Sequence, residues 1–281
     1  MSRVGVVGGG LMGSGIAEVC ARAERDVVVA EATDDALGAG RERLEKSLAR
    51  AEEKGKIASA AAVLDRLRFT TDLGELADRQ LVVEAIVEDE QAKTGLFARL
   101  DGIVEAPDAI LASNTSSIPI MKLAVSTSRP TQVMGIHFFN PVPVLSLVEL
   151  VPSILTADET TEQARAFVQD VLGKKAIDCQ DRAGFVVNAL LVPFLLSAIR
   201  MVESGFATVE DIDEGLVRGC AHPQGPLALT DLIGLDTTKA IAESLYEEFK
   251  EPLYAPPPLL ARMVDAGLLG RKSGRGFYTY A

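Results

Sequence analysis

The sequence predicts an α/β chain in two parts: a doubly wound parallel sheet over residues 1–183 and an all-helical part over 184–281. Three observations predict it. Short β-branched runs alternate with longer helical patterns from residue 3 to about 178, a glycine-rich turn follows the first run, and strand signals fade after "DCQDRAGF" at 178–185. At 281 residues the chain has room for two cores of ordinary size, and its 48% hydrophobic and 24% charged residues are those of a globular protein.

In chain order, the strands fall at Val4–Val7, Val27–Glu31, Leu81–Ala85, Ile110–Ser113 and Val133–Phe138. Between the second and third lies a helical insertion over about 35–66. Its charged segment, Asp35 to Lys56, has little apolar content except Leu44 and Leu48. A domain boundary is placed near Arg182. Beyond it, "GFVVNALLVPFLLSAI" at 184–199 carries Asn188 and Pro193 and is shorter than the roughly 20 residues that span a bilayer. It reads as a buried helix, kinked or begun near Pro193. "APPPL" at 255–259 reads as a helix start.

The formal charge of −12 argues against nucleic acid and anionic membrane as partners, because both are held by clustered Lys and Arg. Cys20, Cys179 and Cys220, far apart and odd in number, form neither a disulfide framework nor a metal-ligand spacing, so no metal is expected and a reducing, cytoplasmic compartment is. The first strand begins within three residues of Met1, and no signal or transit peptide is expected ahead of it.

"VVGGGLMGSGIAEV" sets Gly8, Gly10 and Gly13 in G-x-G-x-x-G spacing between a strand and a helix, which makes the first part a Rossmann-type domain. The first glycine permits a tight turn, the second lets backbone approach a pyrophosphate, and the third lets helix pack on strand. Glu31, eighteen residues after Gly13, ends the second strand, where a carboxylate accepts hydrogen bonds from a ribose 2′-hydroxyl. No Arg or Lys lies between Glu31 and Arg41, so NAD is favoured over NADP.

One of only two histidines, His137, sits in the apolar stretch "GIHFFNPV" at a strand end, where open α/β sheets gather their ligands. Glu149 is the only charged residue between it and Asp158. A carboxylate beside an imidazole fixes its tautomer and yields a general base for a hydroxyl proton. Taken singly, such a His is more often a satisfied core group, and such a Glu, in an edge strand, points at water. "ASNTSSIPI" at 112–120 is either a loop that positions a substrate oxygen or a Ser/Thr-rich turn before Pro119. His222, ahead of a proline, reads as structural, and Asp231 and Asp236 as capping groups.

Together, "GGGLMGSGIA", "LVVEAIVED", "ASNTSSIPI", "GIHFFNPVPVLSLVEL", "GFVVNALLVPFLLSAI", "HPQGPLALTDLIGLDT" and "GRKSGRGFY" resemble the short-chain L-3-hydroxyacyl-CoA dehydrogenases, including bacterial 3-hydroxybutyryl-CoA dehydrogenases, over essentially the whole chain. The resemblance implies NAD-dependent, reversible oxidation of an (S)-3-hydroxyacyl-CoA, with His137 as base, Glu149 holding it, and Ser116 and Asn188 at the reacting oxygen. It assigns Gly8, Gly10, Leu11, Met12, Gly13, Glu31, Glu88, Lys93, Asn114 and Asn140 to the cofactor, and Ser47 and Lys54, with Ser116 and Asn188, to the acyl-CoA. It also implies a homodimer, and the run at 184–199, more hydrophobic than a single domain contact requires, points to the helical part as the partner surface.

Six basic residues against four acidic ones between Arg41 and Lys56 fit a coenzyme A phosphate site on an otherwise acidic chain. One departure is Glu31, where the family usually carries Asp. Two alternatives stand beside this reading: a dehydrogenase of a free 3-hydroxy acid of the L-gulonate type, and a non-catalytic, crystallin-like nucleotide-binding protein.

Overall fold

Apolar runs bounded by turn residues become strands in the computed structural model, which describes residues 1–280. Residues 1–182 form one unit: β1 (Arg3–Val7), α1 (Leu11–Arg22), β2 (Asp26–Ala30), α2 (Asp34–Glu53), α3 (Ala60–Leu64), β3 (Leu67–Thr70), β4 (Leu81–Glu84), α4 (Glu90–Ile103), β5 (Ile110–Ser113), α5 (Ile120–Ala124), β6 (Val133–Phe138), β7 (Leu147–Pro152), α6 (Asp158–Ala166) and β8 (Lys175–Asp178). The sheet order is β3-β2-β1-β4-β5-β6-β7-β8. β1 to β6 run parallel, β7 is antiparallel to β6, and β8 is parallel to β7. Helices cover both faces, which is why the inner strands are continuous apolar runs rather than alternating ones.

Helix α2 starts at an N-cap, Thr33, whose hydroxyl accepts from Ala36 N at 3.2 Å, with Asp34 and Asp35 complementing the helix dipole. It rests on a narrow stripe, Gly40, Leu44 and Leu48, one turn apart and fully buried against α1 and the sheet. The two leucines that stood out in a polar segment are therefore its anchors.

The structure corrects the sequence reading in four places. It adds β3 and β8, whose four-residue runs are too short and too mixed to signal alone. The sheet is mixed rather than parallel, because β7 reverses direction. β7 is flanked by β6 and β8, so Glu149 is not on an edge. Glu31 and Ala85 lie one residue past the ends of β2 and β4.

From Ala183 onward a second unit comprises α7 (Val187–Glu203), α8 (Val209–Cys220), α9 (Pro226–Ile233), α10 (Leu235–Phe249) and α11 (Pro258–Asp265). Pro193 is inside α7 and neither begins nor ends it. Val192, Pro193, Leu195 and Leu196 are all buried, and that burial outweighs the lost backbone bond. Among the described residues, no helix is long and apolar enough to cross a membrane.

Two buried carboxylates tie this unit together. Asp213 accepts from Leu227 N and Ala228 N at the start of α9, and from the Tyr278 hydroxyl. Asp231 accepts from Phe277 N, Tyr278 N and the Tyr280 hydroxyl, each at 2.9 Å, fastening the C-terminal turn. Asp236 forms an ion pair with Lys272. Asp231→Ala removes the buried acceptor of two half-buried N–H groups and a tyrosine hydroxyl and is expected to lower stability by about 3 kcal/mol. A loss of unfolding free energy below about 1 kcal/mol in urea titrations would contradict this role for Asp231.

Candidate active site

The glycine-rich turn joins β1 to α1. Gly8 has φ +98°, and a Cβ there would lie 2.6 Å from the Ala85 carbonyl oxygen. At Gly13 a Cβ would lie 1.7 Å from the Gly8 carbonyl oxygen, so the helix can approach the turn only without one. Gly10 differs: it caps α1, nothing lies within 4 Å of where its Cβ would be, and no side chain closes the helix end. Leu11 and Met12 open the helix beside it, Leu11 exposed. The N–H groups of that first turn are thus available to an anion.

Glu31 accepts from Gly9 N at 2.5 Å through Oε1 and from Ala32 N at 3.2 Å through Oε2. With Gly8, Ala30, Thr71, Ile86 and Arg99 it lines a cavity of about 500 Å³, within the usual range for cofactor sites. An open helix terminus beside a carboxylate-lined cavity fits the pyrophosphate and adenosine ribose of NAD.

His137 and Glu149 are direct cross-strand partners in the antiparallel β6–β7 ladder. Their side chains share the face on which Gly135 and Val151 meet α5, where a Cβ on Gly135 would strike Ile120 and Val151 at 2.9 Å. His137 Nδ1 lies 2.7 Å from Glu149 Oε2, and His137 Nε2 lies 2.9 Å from Ser116 Oγ. The two residues are 4% and 0% exposed. A buried carboxylate only accepts, which assigns the proton to Nδ1 and a lone pair to Nε2. The Phe139 ring packs edge-on against the imidazole, with centroids 4.7 Å apart.

A second cavity, of about 360 Å³, is lined by Ser47, Arg43 and Arg50 of α2, by Ser14 of α1 and by Asn140 to Pro143 after β6. Lys54, the exposed C-cap of α2, is outside that lining. The basic count of the segment overstates its field: Arg41 pairs with Glu45, Lys46 with Glu42, and Arg43 donates to the Gly9 carbonyl at 2.6 Å. Asn188 is the second residue of α7, half-buried, in the other unit.

Family models for the NAD-binding domain and the C-terminal domain of 3-hydroxyacyl-CoA dehydrogenase match residues 3–182 and 184–280. The chain belongs to the 3-hydroxyacyl-CoA dehydrogenase family. It is 61% identical to a 3-hydroxybutyryl-CoA dehydrogenase of Mycobacterium tuberculosis, over 100% of this chain and 99% of the relative. It is 41% identical to the human mitochondrial hydroxyacyl-coenzyme A dehydrogenase, over 100% and 91%. The solved (S)-3-hydroxybutyryl-CoA dehydrogenase PaaH1 from Ralstonia eutropha superposes with a TM-score of 0.94 at 44% identity, covering 100% and 99%.

In this dehydrogenase the loop after β5 is held from below. The Glu88 Oε1 atom accepts from the Thr115 hydroxyl, from Ser116 N at 3.0 Å, from Ser117 N at 3.2 Å and from the Ser117 hydroxyl, while Oε2 faces Lys93 Nζ at 3.2 Å. Asn114 turns its Oδ1 inward to accept from Phe138 N at 2.8 Å, bracing the end of β6. Lys93 is 1% exposed and pairs at 2.5 Å with Glu84, a residue the sequence reading passed over. The signal was present: Glu84 is the one charge in the apolar strand run "LVVEAIV".

Burial pushes the Glu88 carboxyl up, but the Lys93 ammonium and the loop donors outweigh it and hold the group below its ordinary value. A depressed folded-state value stabilises the fold above the unfolded value and loses that contribution as pH falls through the folded one. Glu88→Gln is therefore expected to melt below wild type at pH 7, with the gap closing as pH drops below about 4. Thermal scans between pH 7 and pH 3 check this, and a gap that stays constant contradicts it.

Proposed function

We propose that this enzyme interconverts (S)-3-hydroxyacyl-CoA and 3-ketoacyl-CoA with NAD, and that 3-hydroxybutyryl-CoA is its characteristic substrate. The observation that carries the mechanism is the continuous line Glu149–His137–Ser116 at the carboxyl edge of the sheet that also ends in the glycine turn. Relatives whose names specify 3-hydroxybutyryl-CoA, matched end to end, support the substrate.

When bound, NAD supplies the hydride acceptor. Glu149 holds the Nδ1 proton, so His137 Nε2 presents its lone pair and takes the proton of the substrate hydroxyl. The imidazolium formed is stabilised by the Glu149 carboxylate 2.7 Å away. The Ser116 hydroxyl, already 2.9 Å from Nε2, donates to the reacting oxygen. Asn188 is assigned to the same oxygen from the family block it occupies. Ser47 and Lys54 are assigned to the coenzyme A phosphates on the same basis, and Asn140, beside Ser47 in the second cavity, to the dinucleotide.

A 2′-phosphate in the first cavity would meet Glu31 at close range, which favours NAD over NADP. Three cysteines, odd in number and far apart in the sequence, are in keeping with a reducing cytoplasm. Leu190 and Phe206, 74% and 78% exposed on the helical unit, support association of two copies there.

Two measurements test the proposal. NADH absorbance is expected to fall with acetoacetyl-CoA and to hold steady with free acetoacetate; equal turnover of both would favour the free-acid alternative. His137→Gln is expected to lower kcat by about 10³-fold or more while the NADH Kd stays within about threefold. Unaltered turnover in that variant would rule out the base.

A further inference from the structure

We propose that Glu84 is a positioning residue for the Ser116 hydroxyl, fixing by two convergent routes the loop that presents Ser116 to His137. The inference rests on the dehydrogenase reading above and extends it to a residue that touches neither substrate nor cofactor.

Glu84 is the last residue of β4, paired in register with Val7 on one side and Ser113 on the other, and its side chain is fully buried. A buried carboxylate is tolerated only where donors surround it. Its Oε2 accepts from Ser113 Oγ at 2.6 Å, and Ser113 Oγ in turn accepts from Thr115 N at 3.1 Å. That is the shorter route. Its Oε1 accepts from Ile86 N at 2.7 Å and from Lys93 Nζ at 2.5 Å.

The longer route continues through Lys93 to Glu88, which grips Thr115, Ser116 and Ser117. The two routes close a ring around the loop. At its midpoint the Ser116 hydroxyl faces Nε2 of the base.

Charge balance explains why Glu84 is the root. Lys93 is buried between two carboxylates, and the closer is Glu84. Without that charge the ammonium draws the exposed Glu88 inward to replace it, and Glu88 can no longer serve the serine loop with its other oxygen. A small displacement of a reacting group is enough to lower turnover steeply while ground-state binding survives.

The test is a double-mutant cycle on NADH-dependent reduction of acetoacetyl-CoA by the full chain. Glu84→Gln is expected to lower kcat about ten- to hundredfold, with both KM values within about threefold. In a Ser116→Ala background the same change is expected to cost less than about twofold, because the group it positions is gone. A full loss repeated in that background, or no loss in either, overturns the proposal. Ser113→Ala serves if Glu84→Gln does not fold: it cuts the shorter route alone, with a smaller loss that must also vanish beside Ser116→Ala.

A second readout needs no turnover. Amide hydrogen exchange at Ser116 and Ser117 is expected to quicken about tenfold in Glu84→Gln while β1 and β2 amides hold. Unchanged exchange at the two serines overturns the proposal even if the wild-type chain proves inactive, an outcome that would separately sink the functional reading.

Discussion

The hydrogen bond between His137 and Glu149 depends on one reversal of the sheet. In a parallel pair the two would need a crossover between them; here an eight-residue loop, 139–146, returns the chain so that the twelfth residue after the imidazole falls directly opposite it. Pleat parity then does the sorting. Val148 and Leu150 join Ile136 and Phe138 in the core on one face, and Glu149 and His137 face the serine loop on the other. A slip of one residue would bury the carboxylate in that core with no partner, which costs far more than any gain in packing. The register is thus enforced by the charge itself.

The loop that makes the reversal is secured by Lys174, which donates to the Val142 and Leu145 carbonyls at 2.7 and 2.6 Å. Burial and the nearby Arg22 guanidinium hold its pKa below the ordinary lysine value. Val142, in turn, lies against Gly15 of α1, where a Cβ would come within 2.8 Å. Packing from the glycine helix therefore reaches the loop that spaces the base from its orienting acid.

Much of this was legible in the sequence, and the reasons it was are local. The glycine spacing, the Leu44 and Leu48 anchors and the polar interruption at His137 are each set by residues within a turn or two of one another. What stayed hidden was set by pairing. β3 and β8 take their strand character from neighbours already in the sheet, and β7 looks like an edge until β8 joins it. Lys93 resembles an ordinary helix-surface charge in "DEQAKTG", because nothing in that segment says Glu84 is beneath it. The Ser/Thr-rich reading of 112–120 held in part, since Thr115 does accept from Ser117 N and Ile118 N, but the α5 terminus is capped from a distance by Asp181 through Ile120 N and Met121 N.

A single spatial rule unites the polar residues of the candidate site in the first unit. Gly8 follows β1, Glu31 follows β2, Glu84 and Ser113 end β4 and β5, and His137 is next to last in β6. Glu149 is instead the third residue of β7, as it must be on a strand running the other way. All of them lie in one layer at the carboxyl edge, above strand interiors that are apolar. Concentrating the charges there lets each desolvated group find its counterpart among the others, as Glu84 does with Lys93 and Glu149 with His137, so that the sheet below can remain a dry core. The same concentration makes the site stiff: a carboxylate that serves two loops cannot shift for one of them without disturbing the other.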